Sequence, residues 1–410
     1  MIGAPLHTGT VSEVVPVAPR PDVRGPLVME RLLQFCRDQD TRDDAASLGL
    51  LASALGPSWQ RLVSSHFDDY DAQYIFERFV GLTLRDICSS LRTSGRVLPL
   101  DVARAIAEAI LDGLSALDGQ PSTAQRPLQL TDRSLGLGIN REWRFALGGL
   151  NHWLGDYQRR VTDVENSEPL SPDVTFFLSP EAFQARDETP ASLATRASLF
   201  IWQMVATYHP YRGNRFQVFE SMTRFSLDQL RVRLEVHPDV TPELSDVLRK
   251  GVRFSGDRFA NLAELRAALS TAWPKPAASK EVVFQTLVSI GWNALQSQLH
   301  SLRREPLLPI RWDGVWDASR TPEEGLAVLE DQLLELLLPI DSFPKRLPAP
   351  PDAEELPFTR EDRAPLPLRP DGRVNIERLT LNLQREREQE PTAERPRGFF
   401  SRLLASLLGR

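Results

Sequence analysis

The chemistry open to this chain is limited by where its reactive residues fall. Its four lysines, Lys250, Lys275, Lys280 and Lys345, all lie beyond residue 249, so no reaction that needs a lysine earlier in the chain is available. The six histidines (His7, His66, His152, His209, His237, His300) stand apart, without the H-x-x-x-H spacing or carboxylate grouping that brings ligands to one metal ion. No metal site is expected. No G-x-S-x-G elbow presents a serine nucleophile. Gly136, Gly138 and the pair Gly148-Gly149 lack the strand–turn–helix setting of a dinucleotide site, and turns account for them. Asp68, Asp69 and Asp71 fit a solvated turn. One carboxylate is better placed for chemistry: Asp132, in the run Leu130-Thr131-Asp132-Arg133-Ser134-Leu135-Gly136-Leu137.

The elements that must position these residues fall into two kinds. Val11–Val17 and Leu27–Leu33 are short apolar runs between Pro- and Gly-bearing turns and predict paired strands. Arg42–Leu55 has helical spacing and stops at Gly56-Pro57, while Gln73–Val80 is rich in aromatic and β-branched residues and predicts a strand. From residue 83 the pattern turns helical. Thr83 caps a helix over Leu84–Leu91, and Pro99 with Asp101 opens a longer one with Val102, Ile106, Ala109, Ile110, Gly113, Leu114 and Leu117 inward. Leu128–Leu130, Gly138-Ile139 and Arg144–Leu147 suit small hairpin strands. Helices are predicted at Ala194–Ala206, Ser226–Leu234, Glu243–Gly251, Leu262–Ser270, Ser279–Arg303 and Pro322–Leu338. Strands first and helices after is an α+β order, with two lobes. The stretch from Pro339 to about Pro370 is Pro-rich and predicts an extended linker; residues 374–390 suit a short charged helix.

Composition excludes several classes. A net charge of −7 and a pI near 5.6 argue against a nucleic-acid-binding surface. Cys36 and Cys88 are too few for a disulfide framework and read as small core residues in a reducing cytoplasm. No run approaches the roughly 20 apolar residues of a membrane span, and no secretory leader opens the chain.

Four phrases in order carry a family likeness. YIFERFVGLTLRDI (Tyr74–Ile87) resembles the hinge strand and following helix of bacterial Hanks-type Ser/Thr protein kinases. FFLSPEAF (Phe176–Phe183) resembles the end of their activation segment, IWQMVATYHPYRG (Ile201–Gly213) a helix and loop of the larger lobe, and GDRFANLAELRAAL (Gly256–Leu269) the closing helix. The likeness spans roughly residues 5–270. It implies a small β-rich N-lobe over 1–80 and a helical C-lobe over 81–272; beyond it the residue pattern predicts a helical extension over 279–338, a Pro-rich, largely disordered linker over 339–396 and an amphipathic terminal helix over 397–410. It also implies that Glu181 and Arg258 form a buried ion pair.

The same likeness puts the catalytic residues in doubt. Phosphoryl transfer needs a cation on the nucleotide phosphates, metal-binding oxygens and a base for the incoming hydroxyl. Where the family has V-A-I-K, this chain has Leu27-Val28-Met29-Glu30, so an acid replaces the phosphate-binding amine. Against H-R-D-L-K-P-x-N only Asp132 matches, and Leu137 stands at the metal-binding asparagine. Against Asp-Phe-Gly the chain has Leu147-Gly148-Gly149. Mg²⁺ requires hard oxygen ligands, and leucine offers none. The expectation is a pseudokinase without cofactor, with Asp132 a hydrogen-bonding vestige, acting as a protein-binding scaffold or allosteric regulator in signalling. Two alternatives stand: an active kinase that uses arginine and Asp132, and an adaptor that binds through residues 279–338.

The terminal sequence RGFFSRLLASLLGR sets Phe399, Phe400, Leu403, Leu404, Leu407 and Leu408 on one helical stripe, with Ser401, Arg402, Ser406 and Arg410 opposite. At 1.5 Å per residue it spans roughly 18 Å, short of the about 30 Å of a bilayer core. It is expected to lie in a membrane surface, at the inner face, or in a groove of a partner protein, the alternative being that it folds back onto its own helical lobe.

Overall fold

The computed structural model describes residues 7–8, 12–17, 27–32, 55–67, 72–118, 130–145, 177–183, 188–211, 237–253, 257–304 and 319–346. Its architecture is mixed α+β, with small antiparallel sheets ahead of a helical body. The first sheet has five strands: β1 (His7–Thr8), β2 (Ser12–Val17), β3 (Leu27–Leu32), β4 (Leu62–Phe67) and β5 (Ala72–Glu77). Their order is β1-β2-β3-β5-β4, which places β3 in the middle. Every pair is antiparallel, with Ser12 opposite Leu32, Leu27 opposite Glu77 and Phe67 opposite Ala72. Alternation along β5 buries Tyr74 and Phe76 and leaves Gln73, Ile75 and Glu77 partly exposed, the period of a sheet with one covered face. The strand expected to run to Val80 stops at Glu77, where β3 supplies its last partner.

The second sheet, β6-β7-β8, joins β6 (Gly81–Thr83), β7 (Leu135–Gly138) and β8 (Trp143–Phe145). These strands correct the predicted hairpin. Leu130 is outside any strand, and β7 begins earlier than Gly138. A tight turn decides the register: Gly138 N–H donates to Glu142 O at 2.9 Å, and Arg141 adopts φ 66°. Gly81 is required where β6 meets β7, because a Cβ there would sit 2.1 Å from Leu137 O.

Helix starts follow local capping chemistry. Thr83 and Asp86 form a capping box at α1 (Leu84–Ser94), and Gly95 closes the helix at φ 63°. α2 (Leu100–Ser115) opens after Pro99 and buries Val102, Ala103, Ile106, Ala107, Ile110 and Leu114; Ala109, expected inward, is only half-buried. Gly113 leaves room for the Phe145 ring, which stacks on Trp59 at 4.8 Å between centroids. A single turn, α3 (Pro180–Phe183), precedes α4 (Pro190–Ala206), whose residues Ser192 to Ala206 are all buried. A helix buried on every side belongs in the middle of a body, and α4 occupies that place. α5 (Pro242–Gly251) and α6 (Leu262–Ala272) pack on it with amphipathic faces.

The chain continues into α7 (Lys280–Arg303) and α8 (Pro322–Leu334). α7 lies along α1, α2 and β6, burying Val283, Phe284, Leu287, Val288, Leu295, Leu299 and Leu302. Gly291 faces Leu82 so closely that a Cβ would meet its Cδ2 at 2.5 Å. α8 ends at Leu334 instead of Leu338: the chain leaves it through tighter turns, in which Leu336 N–H donates to Leu333 O and Leu337 N–H to Leu334 O, each at 3.2 Å. The linker predicted from Pro339 also needs correction. Residues 339–346 are structured: Phe343 is buried, Val97 N–H donates to Pro344 O at 3.1 Å, and Arg346 N–H donates to Gly95 O at 3.0 Å. Among the described residues no helix is long and apolar enough to cross a membrane.

The expected helices at Ser226–Leu234 and 374–390, and Arg42–Leu55 but for its last residue, lie outside the described residues. So do Leu147 and the terminal stripe Phe399, Phe400, Leu403, Leu404, Leu407 and Leu408.

Candidate functional site

Asp132 sits in a tight turn that leads into β7. Thr131 O accepts from Ser134 N–H at 2.9 Å, Thr131 Oγ1 from Arg133 N–H at 3.1 Å, and Ser134 Oγ from Thr131 N–H at 3.0 Å. The turn aims the Asp132 side chain into the body, where it is 6% exposed. Each carboxylate oxygen accepts a hydrogen bond from the protein. Oδ1 accepts from Arg85 Nε at 2.9 Å, and Oδ2 accepts from Gln203 Nε2 at 2.7 Å. Arg85 N–H also donates to the Asp132 main-chain O at 2.9 Å. One carboxylate thus ties the turn to the first turn of α1 and to α4. Charge-assisted bonds of this kind are about twice as strong as neutral ones. A base for a substrate hydroxyl needs an oxygen within reach of the incoming proton. The bonds to Arg85 and Gln203 hold both Asp132 oxygens toward the protein interior.

The other residues singled out by the family likeness are placed as follows. Leu137 is buried in the middle strand of the second sheet, opposite Leu82 and Trp143. Glu30 occupies the central strand of the first sheet, paired with Val14 on one side and Tyr74 on the other. Glu181 and Arg258 meet. Arg258 Nη1 lies 3.3 Å from Glu181 Oε2, Nη2 contacts Oε1, and Ser192 Oγ donates to Oε2 at 2.6 Å. Ser192 belongs to the capping box that Thr189 makes at the start of α4, so the pair is locked to that helix end.

Burial pushes the Glu181 carboxyl up, but the Arg258 guanidinium and the Ser192 hydroxyl outweigh it and leave the group below its ordinary range. A carboxylate depressed on folding stabilises above its unfolded pKa and loses that contribution as pH falls through the folded value. Glu181→Gln should therefore lower stability at pH 7 by about 2–3 kcal/mol, a buried-pair cost reduced for partial exposure. The deficit should shrink below about pH 4.3, where wild type begins to lose the pair too. Urea unfolding at both pH values reads this directly, and a deficit that stays constant would contradict it.

Sequence reasoning missed the partners. Arg85 and Gln203 lie within two of the family-like phrases, but nothing in those phrases singles them out. Arg196, buried in α4, bonds Phe177 O at 3.3 Å and lies 3.4 Å from Glu188, another buried pair. A usable signal did exist: Arg196 and Gln203 are the long polar residues of an otherwise apolar helix, and such intrusions must be paired. Gln298 was also missed. Its amide grips both main-chain groups of Gly81, accepting from N–H at 3.2 Å and donating to O at 2.8 Å. It pins the segment between the five-stranded sheet and α1 to α7.

Of the histidines, His237 is a core residue. Asp239 N–H donates to Nδ1, which leaves Nε2 to donate to Leu98 O at 2.8 Å, and burial lowers its pKa. Cys88 is buried, and burial raises its thiol to about 12, so it is inert as a nucleophile. Among the described residues, no group of three or more His, Cys, Asp or Glu side chains is arranged to hold a metal ion. Comparison with known protein families and with curated proteins finds no match to the chain.

Proposed function

We propose that the chain is a pseudokinase: a kinase-like, two-lobed protein that has given up phosphoryl transfer and works in the cytoplasm as a protein-binding scaffold or allosteric module. The observation that carries this reading is the Asp132 carboxylate, whose two oxygens serve Arg85 and Gln203. Further support comes from the strand-then-helix order, the meeting of Glu181 with Arg258, and the placement of Leu137 inside a buried strand. An apolar side chain there offers no oxygen to a divalent ion. The acid Glu30, where a phosphate-binding amine belongs, opposes a triphosphate by simple Coulomb repulsion. In this reading the terminal stripe Phe399–Leu408 is a tether to a membrane surface or a partner.

Thermal unfolding with and without Mg·ATP tests the proposal. A nucleotide present at about 100 times its Kd would add about 2.7 kcal/mol and raise the midpoint by several degrees. No shift is expected. A clear upward shift that requires Mg²⁺ would favour an active kinase instead.

A further inference from the structure

We infer that the outer face of α8 is the docking surface for a basic amphipathic helix of a partner protein. From Thr321 to Pro344 the chain has six acidic residues and no basic one, against a net charge of −7 for the whole protein. The helix turns Leu326, Leu329 and Leu333 inward. Its opposite side presents Glu323, Glu324, Ala327, Asp331, Leu334 and Glu335, all exposed and following one another at helical spacing. Part of the acid is spent internally: Glu330 pairs with Arg303 and Asp341 with Arg96. Glu323, Asp331 and Glu335 make no ion pair with any described residue, and their charge faces outward.

Exposed apolar residues follow at the C-terminal end of this helix. Leu334 is 43% exposed, Leu337 37% and Ile340 58%. Among the described residues only Val282 joins them as an exposed large hydrophobic. Single exposed leucines are ordinary; three within seven positions, at the end of an acidic helix face, are not. The chemistry selects the occupant. An anionic lipid surface would be repelled by Glu323, Asp331 and Glu335, and a second copy of the same face would set acid against acid. A helix with cations toward those acids and apolar side chains toward Leu334, Leu337 and Ile340 satisfies both features. The surface rests on firm ground: Ser289 of α7 accepts from Leu338 N–H at 2.5 Å and donates to Leu336 O at 3.2 Å. The inference deepens the scaffold reading by giving it a docking face and depends on it only in taking the chain to work by binding.

The probe is a fluorescent Lys/Leu amphipathic helix of about 14 residues, four turns, titrated into the full-length protein. A control peptide of the same composition has its apolar face scrambled. We expect the double variant Asp331→Lys, Glu335→Lys to weaken binding about tenfold or more. The double variant Leu337→Ser, Ile340→Ser should weaken it about fivefold, and the scrambled peptide should bind about tenfold more weakly to wild type. All four substituted residues are exposed, so circular dichroism should show unchanged folding and keep the comparison valid. Equal affinity of wild type and either variant would overturn the inference, as would equal affinity for the two peptides, which would mean general charge attraction only. Binding of anionic vesicles that the Leu337→Ser, Ile340→Ser variant abolishes would overturn it in favour of lipid. The Mg·ATP melt is read independently, so failure of this docking face and failure of the pseudokinase reading leave different results.

Discussion

Ending the chain at Lys275 is expected to abolish cooperative folding, not to leave a trimmed but intact domain. The cut removes α7, and with it the burial of Val283, Phe284, Leu287, Val288, Leu295, Leu299 and Leu302. Each such side chain contributes about 1.5–3 kcal/mol when fully buried, so their sum rivals the whole of an ordinary domain's stability of about 5–15 kcal/mol. The cut also strips Gln298 from Gly81 and uncovers Leu82. Circular dichroism during heating should show a broad, early transition or none. A sharp melt within a few degrees of the full chain would show that α7 is an accessory. Gly291→Leu asks the same question without a truncation. Its side chain must displace Leu82, and overpacking of this kind costs about 1–3 kcal/mol. The result bears on how binding is mapped: loss of a partner after truncation at 275 would report unfolding, so the extension has to be probed by surface substitutions such as those on α8.

Asp132→Ala should destabilise the protein by about 3–5 kcal/mol. It leaves the buried Gln203 amide without its acceptor, worth about 1–3 kcal/mol alone. It also takes the Asp132 carboxylate away from the Arg85 guanidinium, which is three-quarters buried. Asp132→Asn keeps one acceptor oxygen and should cost clearly less. Chemical denaturation of the two variants gives the ranking. Equal and small losses in both would mean that the carboxylate is not a structural tie. The expectation changes what an activity assay can say: loss of any signal in Asp132→Ala would follow from damage to the fold, whatever the chemistry.

The sequence by itself determined where most helices begin. Thr83, Thr189, Thr241, Asn261, Ser279 and Thr321 each cap a helix by bonding a main-chain N–H three residues on, a contact that needs no tertiary information. The absence of lysine before residue 250 is equally local. Where local rules gave way, the reason lay elsewhere in the chain. The second sheet took its register from a turn at Arg141 and from β6, and the segment after Pro339 became ordered by pairing with Gly95–Val97.

Only the tertiary structure could decide what Asp132 does. Its partners lie 47 and 71 residues away, and Gln298 reaches Gly81 across 217. Residue type says that a carboxylate can accept two hydrogen bonds; it does not say whether water, a substrate or the protein donates them. Packing settles that, because once α4 and α1 close around the turn before β7, a buried carboxylate must be paired where it stands.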